Sequence, residues 1–294
     1  MKQSKIISTI TCIACFLLLA GCQKEFSSDN GNPPVNPVNN DSVYLERITE
    51  VNYILDDSTI QNLSYDNQKR LTRISQKNYR NNILEDTSVV TLFYNGNDSL
   101  PFRYTDYKAA VGFPFFDSTN SFLFYDAQGR LVLDSAIYSK DGFGYSKDKD
   151  IYTIQYAPNK IYGYSTYTDL LNPGPADISL DTTWLDANKN IVKRHFYDSQ
   201  PLKLFRTENN TAFDNKRSPY FYMRMIPYFI LTSPYYTGMN NLLTTRVEKL
   251  YIFATYDVSY THSYNSFNMP TLSVGIDIPT QAVEERVYYK YRSL

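Results

Sequence analysis

The sequence predicts an all-β protein, one long antiparallel meander of repeated β-hairpins that curls into an open barrel or a strongly curved sheet. Three observations lead there. The 294 residues include 28 Tyr and 17 Phe, 22 Asp against 8 Glu, 25 Asn and only 12 Ala. That mixture favours strands and tight turns over helices. Apolar runs alternate with period two, as in Tyr152/Ile154/Tyr156 against Ile151/Thr153/Gln155 and Val287/Tyr289/Tyr291 against Tyr288/Lys290/Arg292. Finally, one phrase recurs along the chain: an aromatic residue, Asp or Asn, a short polar turn, then a basic or apolar residue that opens a new strand.

Taken in chain order, residues 1–21 read as a lipoprotein signal peptide. Lys2 and Lys5 precede an apolar stretch from Ile6 to Ala20 that is too short for a membrane-spanning helix. Leu19-Ala20-Gly21-Cys22 matches the bacterial lipobox, which places cleavage between Gly21 and Cys22 and a lipid on the Cys22 thiol. The cysteines are Cys12, Cys15 and Cys22, so the folded body has neither a disulfide nor a thiolate nucleophile. Residues 22–43 combine the lipidated Cys with a disordered Asn/Pro/Ser tether containing Pro33, Pro34 and Pro37. Residues 44–294 are expected to form a single repeat-built β domain.

The recurring phrase is clearest in Tyr125-Asp126-Ala127-Gln128-Gly129-Arg130-Leu131. It stands also in Tyr65-Asp66-Asn67-Gln68-Lys69-Arg70-Leu71 and in Leu185-Asp186-Ala187-Asn188-Lys189-Asn190-Ile191. Weaker copies centre on Asn95, Ala157 and Asp214, so successive copies lie 28 to 31 residues apart. Each is expected to be a hairpin in which Asp or Asn bonds its own backbone. Gly129 should take a positive φ there, with Asn190 and Asn95-Gly96 serving the same need. Leu71 and Ile74 do not share parity, which predicts a bulge or an early strand end. Two strands per unit give about sixteen strands, and a sheet that long must curl, split or close. Residues 105–120 and 217–243 break the rhythm with clustered aromatics and prolines, and any ligand is expected to bind in these irregular stretches.

Lipobox, tether, Tyr-Asp-x-x-Gly-Arg-Leu turns, the step from Asp214 to Tyr220, the pair Asn240-Asn241 and the phrase from Tyr264 to Thr271 occur in an order that resembles a group of Bacteroidetes-type lipoproteins of unknown function with a porin-like β fold. The turn phrase is similar to the YD repeat of Rhs-type wall proteins. The resemblance covers residues 44–292 and implies a fold and an envelope address. Its motifs are turn chemistry, so it implies no activity.

Composition narrows the function classes. Lys+Arg 29 against Asp+Glu 30 gives a net charge of −1, which removes the basic excess that phosphate neutralisation needs, so no nucleic-acid partner is expected. His195 and His262 are the only histidines and lack recognisable triad or ligand spacing. Asp141-Gly142 and Lys147-Asp148-Lys149-Asp150 lack calcium-loop spacing and read as solvated turns. No pair among the Asp residues is selected as glycosidase carboxylates. The expectation is therefore a non-enzymatic outer-membrane lipoprotein, periplasmic or surface-exposed, without cofactor or metal, touching the membrane through its lipid alone. It would bind a glycan or protein ligand; a purely structural envelope component and a hydrolase are the alternatives. Candidate ligand contacts are Phe113, Phe115, Phe116, Trp184, Tyr235 and Tyr236, large aromatics that must cover the sheet, meet a partner or close a cavity. Asp followed by Ser/Thr and an aliphatic residue or Thr is an O-glycosylation acceptor pattern, found at Ser42, Ser58, Ser99, Ser118, Ser135 and Thr182. The same tripeptide also serves where a turn enters a strand.

Overall fold

Sixteen strands follow one another along the chain, and each pairs antiparallel with its sequence neighbours. They are β1 (Val43–Asn52), β2 (Asp57–Tyr65), β3 (Leu71–Arg80), β4 (Ile83–Phe93), β5 (Arg103–Ala110), β6 (Phe116–Tyr125), β7 (Leu131–Asp141) and β8 (Ser146–Ala157). Then come β9 (Lys160–Asp169), β10 (Asp177–Leu185), β11 (Ile191–Asp198), β12 (Lys203–Arg217), β13 (Asn240–Lys249), β14 (Ala254–Tyr264), β15 (Pro270–Asp277) and β16 (Val283–Ser293). The meander is the one the alternation predicts, and it closes: β1 pairs with β16 from Val43↔Ser293 to Asn52↔Glu285. Closure pairs both backbone edges of every strand and leaves no free edge.

This computed structural model describes residues 43–112, 116–141, 145–198, 203–219, 240–250 and 252–293. The chain divides into two units, Met1–Asn39 and Asn40–Leu294. Gly21, Cys22 and Ser42, with the rest of the expected signal peptide and tether, lie outside the described residues, as do Phe113, Phe115, Tyr235 and Tyr236.

The turns show why the phrase recurs. In the turn after β2, the amides of Gln68 and Arg70 donate to Asp66 Oδ1, both at 2.9 Å, and Arg70 Nε donates to Oδ2 at 2.8 Å. Asp126 receives the same three bonds from Gln128 and Arg130, at 2.9, 2.9 and 2.7 Å. Asp186 and Asn265 hold the amides of Asn190 and Met269 in the same way. The fourth residue of each turn is left-handed, with φ of 65° at Lys69, 72° at Gly129, 65° at Lys189 and 57° at Asn268. Gly129 behaves as expected. At the third copy the positive φ falls on Lys189 and not on Asn190, whose side-chain amide instead donates to Asp186 at 3.0 Å.

After each of these turns a bulge sets two residues of the new strand against one of the old, between Ser64 and Tyr65, Phe124 and Tyr125, Trp184 and Leu185, and Ser263 and Tyr264. The bulge turns both Leu71 and Ile74 inward, at 5% and 3% exposure. The copy at Asp214 differs. It lies inside β12, and although Lys216 N still donates to its carboxylate at 3.0 Å, the strand runs on to Arg217. Its carboxylate instead receives the Asn241 amides and the Tyr264 hydroxyl.

The core occupies the turn end of the barrel interior, where Leu45, Ile48, Leu63, Ile74, Val90, Leu123 and Ile154 pack together. A layer of tyrosines covers it, and each hydroxyl donates to a backbone carbonyl some twenty residues earlier: Tyr65 to Leu45 at 2.9 Å, Tyr94 to Leu71 at 2.7 Å, Tyr125 to Pro101 at 2.7 Å and Tyr156 to Leu131 at 2.9 Å. Burial pushes the phenols of Tyr94 and Tyr156 up to about 12. Much of the tyrosine excess is thus spent on closing one end of the barrel with satisfied polar tips.

Candidate functional site

Beyond the apolar layer the inner wall is polar, and its side chains bond one another from strand to strand. Thr59 donates to Asn78 at 3.0 Å, Gln61 to Gln76 at 2.8 Å and Asn78 to Asp86 at 2.6 Å. Ser121 donates to Asp134 and Ser165 to Asp150. Burial pushes Asp134 up to about 6 and raises Asp150 and Asp181. Asp148 is 5% exposed and Asp150 half-buried, so the run from Lys147 to Asp150 is not the solvated turn expected from its sequence; it is part of β8, with both carboxylates turned inward. These carboxylates act as struts between strands. No group of three or more His, Cys, Asp or Glu suited to a metal ion occurs among the described residues.

The same alternation explains the enrichment of Asp-Ser/Thr. In Asp134-Ser135-Ala136 the Asp and Ala face the interior and Ser faces out, and Asp117-Ser118 and Asp181-Thr182 repeat this mid-strand. Ser58, Ser118, Ser135 and Thr182 all stand on the outer wall, half-buried, while Ser99 is exposed in the turn between β4 and β5.

The outer wall has two unlike halves. From β13 round the seam to β5 it carries Arg246, Glu248, Asp257, Arg286, Lys290, Arg47, Arg73, Lys77, Glu85 and Arg103. From β6 to β11, three adjacent cross-strand rows of outward residues stand between rows that carry lysines. One is Phe122–Ser135–Ile151–Thr166–Ile178, the next Phe124–Leu133–Thr153–Tyr164–Leu180–Tyr197, and the third Gln155–Tyr162–Thr182–His195. None of these residues is an acid, a lysine or an arginine. Burial and the Lys193 ammonium lower the pKa of His195. Lysines bound this panel, Lys147 and Lys149 on one side and Lys160 and Lys193 on the other.

Both described concavities open on this side of the barrel. The larger, about 720 Å³, is lined by Thr153, Gln155, Tyr162, Tyr164, Leu180, Thr182 and Tyr197, with Gly163 and Asp181 beneath them. Leu180 and Thr182 on β10 form its floor, with Tyr164 and Tyr162 of β9 on one flank and Tyr197 of β11 on the other. Tyr162 and Tyr164 are 41% and 40% exposed, a large aromatic area left wet. A hydrogen bond at 3.3 Å joins the Tyr197 hydroxyl to His195 Nδ1. The smaller groove, about 460 Å³, lies among Thr105, Tyr107, Ser118, Asn120 and Ile137.

The ligand contacts expected from the sequence fare unevenly. Residues 105–110 belong to β5 and residues 116–120 to β6, and Phe116 lies on the outer wall stacked on Tyr107, with centroids 5.8 Å apart. Trp184 also faces outward, one row beyond the panel. Its ring packs edge-on against His195 at 4.8 Å and lies beneath the ammonium groups of Lys160 and Lys193 at 5.5 and 5.6 Å, so it borders the larger groove without lining it. Of the second expected stretch, residues 240–243 belong to β13, and residues 220–239 lie outside the described residues. Sequence reading missed Tyr162, Tyr164, Leu180 and Tyr197 because only strand register brings them together.

Among solved structures, the chain is similar to a porin-like protein from Bacteroides vulgatus, with a TM-score of 0.55 and 12% identity, over 86% of this chain and 100% of that one. It is also similar to a porin-like protein from Bacteroides uniformis, with a TM-score of 0.48 and 11% identity, over 85% of this chain and 97% of that one. No described protein family and no curated protein matches the sequence. At such identity the likeness establishes a porin-like β-barrel fold.

Proposed function

We propose that the protein is a non-enzymatic lipoprotein of the cell envelope, held to the outer membrane by the lipid on Cys22, that binds a glycan or protein ligand on the neutral panel of its outer wall. The observation that carries this reading is the panel itself: half-exposed tyrosines flank a groove within three adjacent rows that lack charged side chains. An apolar patch rimmed by polar residues marks an interaction site. The charged half argues that the barrel stands in water, because Arg or Lys on a lipid-facing wall costs about 2–4 kcal/mol each at mid-membrane. The outward Ser58, Ser118, Ser135 and Thr182, the exposed Ser99, and Ser42 remain proposed O-glycosylation acceptors.

The test is a charge placed in the groove. Leu180→Lys should leave thermal unfolding unchanged and abolish capture of the full-length protein on glycan and protein arrays. Equal capture by this variant would put the ligand elsewhere, and no capture of either protein by any array would contradict the binding reading.

A further inference from the structure

We infer that the ligand is a neutral saccharide chain, seated along β10 in the groove between Tyr162/Tyr164 and Tyr197. The inference rests on the binding reading above and assigns its ligand class. The flanks stand on β9 and β11, two strand spacings or about 10 Å apart, which admits a single ring-sized group over Leu180. Tyrosine offers an apolar ring face to the C–H face of a sugar, with a hydroxyl at its tip. Thr182 on the floor adds a hydroxyl, and Gln155, on β8 beyond Tyr162 at the edge of the same concavity, adds an amide; each can donate and accept, which suits a ligand that presents both functions at every ring.

The other occupants fit less well. An extended peptide on a sheet is held chiefly by main-chain bonds to a free strand edge. Here β9, β10 and β11 have both edges paired, so none is offered. Phosphate or acidic sugars need cations, and the nearest lysines, Lys160 and Lys193, hold their ammonium groups over Trp184. An acyl chain would leave Gln155 and Thr182 without partners. A second copy of the barrel, convex wall against convex wall, would leave a 720 Å³ groove unfilled.

The experiment is native affinity electrophoresis of the full-length protein in detergent, through gels containing xylan, mannan or laminarin, with polygalacturonate as the acidic control. Retardation is expected in at least one neutral gel and not in polygalacturonate. Tyr164→Ala and Tyr197→Ala should each weaken it at least tenfold, roughly the loss of one aromatic anchor, while Tyr164→Phe retains it. Trp184, one row from the groove, should change its emission as the same saccharide is titrated. Retardation by polygalacturonate alone, retardation unaffected by the alanine variants, or none in any neutral gel overturns the saccharide assignment. In the last case, protein-array capture that is lost in Leu180→Lys would leave the binding reading standing with a protein ligand.

Discussion

Tyr152 on β8 donates its phenol hydrogen to Asp181 on β10, reaching over β9, and does so because the residue beneath is Gly163. A Cβ at position 163 would lie 1.9 Å from the Tyr152 hydroxyl oxygen and 2.1 Å from Asp181 Oδ1. The bond ties three strands together directly beneath the outer groove. It also engages the Asp181 carboxylate, which lies beneath the Leu180 and Thr182 floor of that groove.

Gly163→Ala should therefore be among the most damaging small substitutions in the barrel. The added methyl displaces the tyrosine and leaves a buried carboxylate without its donor, a loss of about 2–4 kcal/mol. Tyr152→Phe should not rescue it, because the ring carbon Cζ would still lie 2.5 Å from the new Cβ. Urea unfolding of the single and double variants measures this; full recovery in the double variant would mean that the hydroxyl alone was in the way.

At Gly129 the demand is conformational. Its φ of 72° matches Lys69, Lys189 and Asn268 in the equivalent turns, so the position tolerates unbranched or Asn side chains. Gly129→Asn should be nearly neutral, whereas Gly129→Val should cost about 1 kcal/mol or more, since a β-branched residue resists positive φ. Thermal melts of the two variants decide it, and equal melting would mean that the turn relaxes to another type.

Near the closing seam, burial pushes Glu285 up to about 7, with Glu50 close enough to add repulsion and the Tyr260 hydroxyl lowering it again. The folded state holds this proton more tightly than the unfolded chain, so the group's contribution to stability is complete below pH 4.5 and is lost as pH rises through about 7. Glu50, Asp134, Asp150 and Asp181 are raised too and act in the same direction. Glu285→Gln should leave the melting temperature at pH 4 nearly unchanged and raise stability at pH 8 by on the order of 1–3 kcal/mol. The same difference at both pH values would assign the effect to packing.

The proposed lipid on Cys22 leads to Cys22→Ser, which should yield unprocessed precursor or soluble protein in place of a detergent-partitioning form. Partitioning like that of the wild type would show that the anchor is elsewhere.

The turns, the strand number and the bulge at Leu71/Ile74 were legible because each depends on residues within a few positions of one another. Asp126 and Gly129 carry their turn almost alone. Closure was not legible, since Val43 and Ser293 meet only through the accumulated curvature of the strands between them. The candidate groove was hidden for a related reason: Tyr164, Leu180 and Tyr197 become neighbours only once the register of β9, β10 and β11 is known. Gly112 and Pro114 made residues 105–120 look irregular, although 105–110 and 116–120 lie in two ordinary strands. Asp214 misled in the opposite way, using turn chemistry inside a strand that continues.

The central claim is that the whole outer wall meets water, with the neutral panel open to a ligand. Because no cysteine follows Cys22 in the sequence, single cysteines introduced into the barrel report on its wall. Ser75→Cys on the charged half and Ser135→Cys on the panel should both react with a membrane-impermeant maleimide when the full-length protein is reconstituted on the outside of vesicles, at rates that detergent does not raise. Protection of both positions until detergent is added would place the wall in lipid and contradict the account.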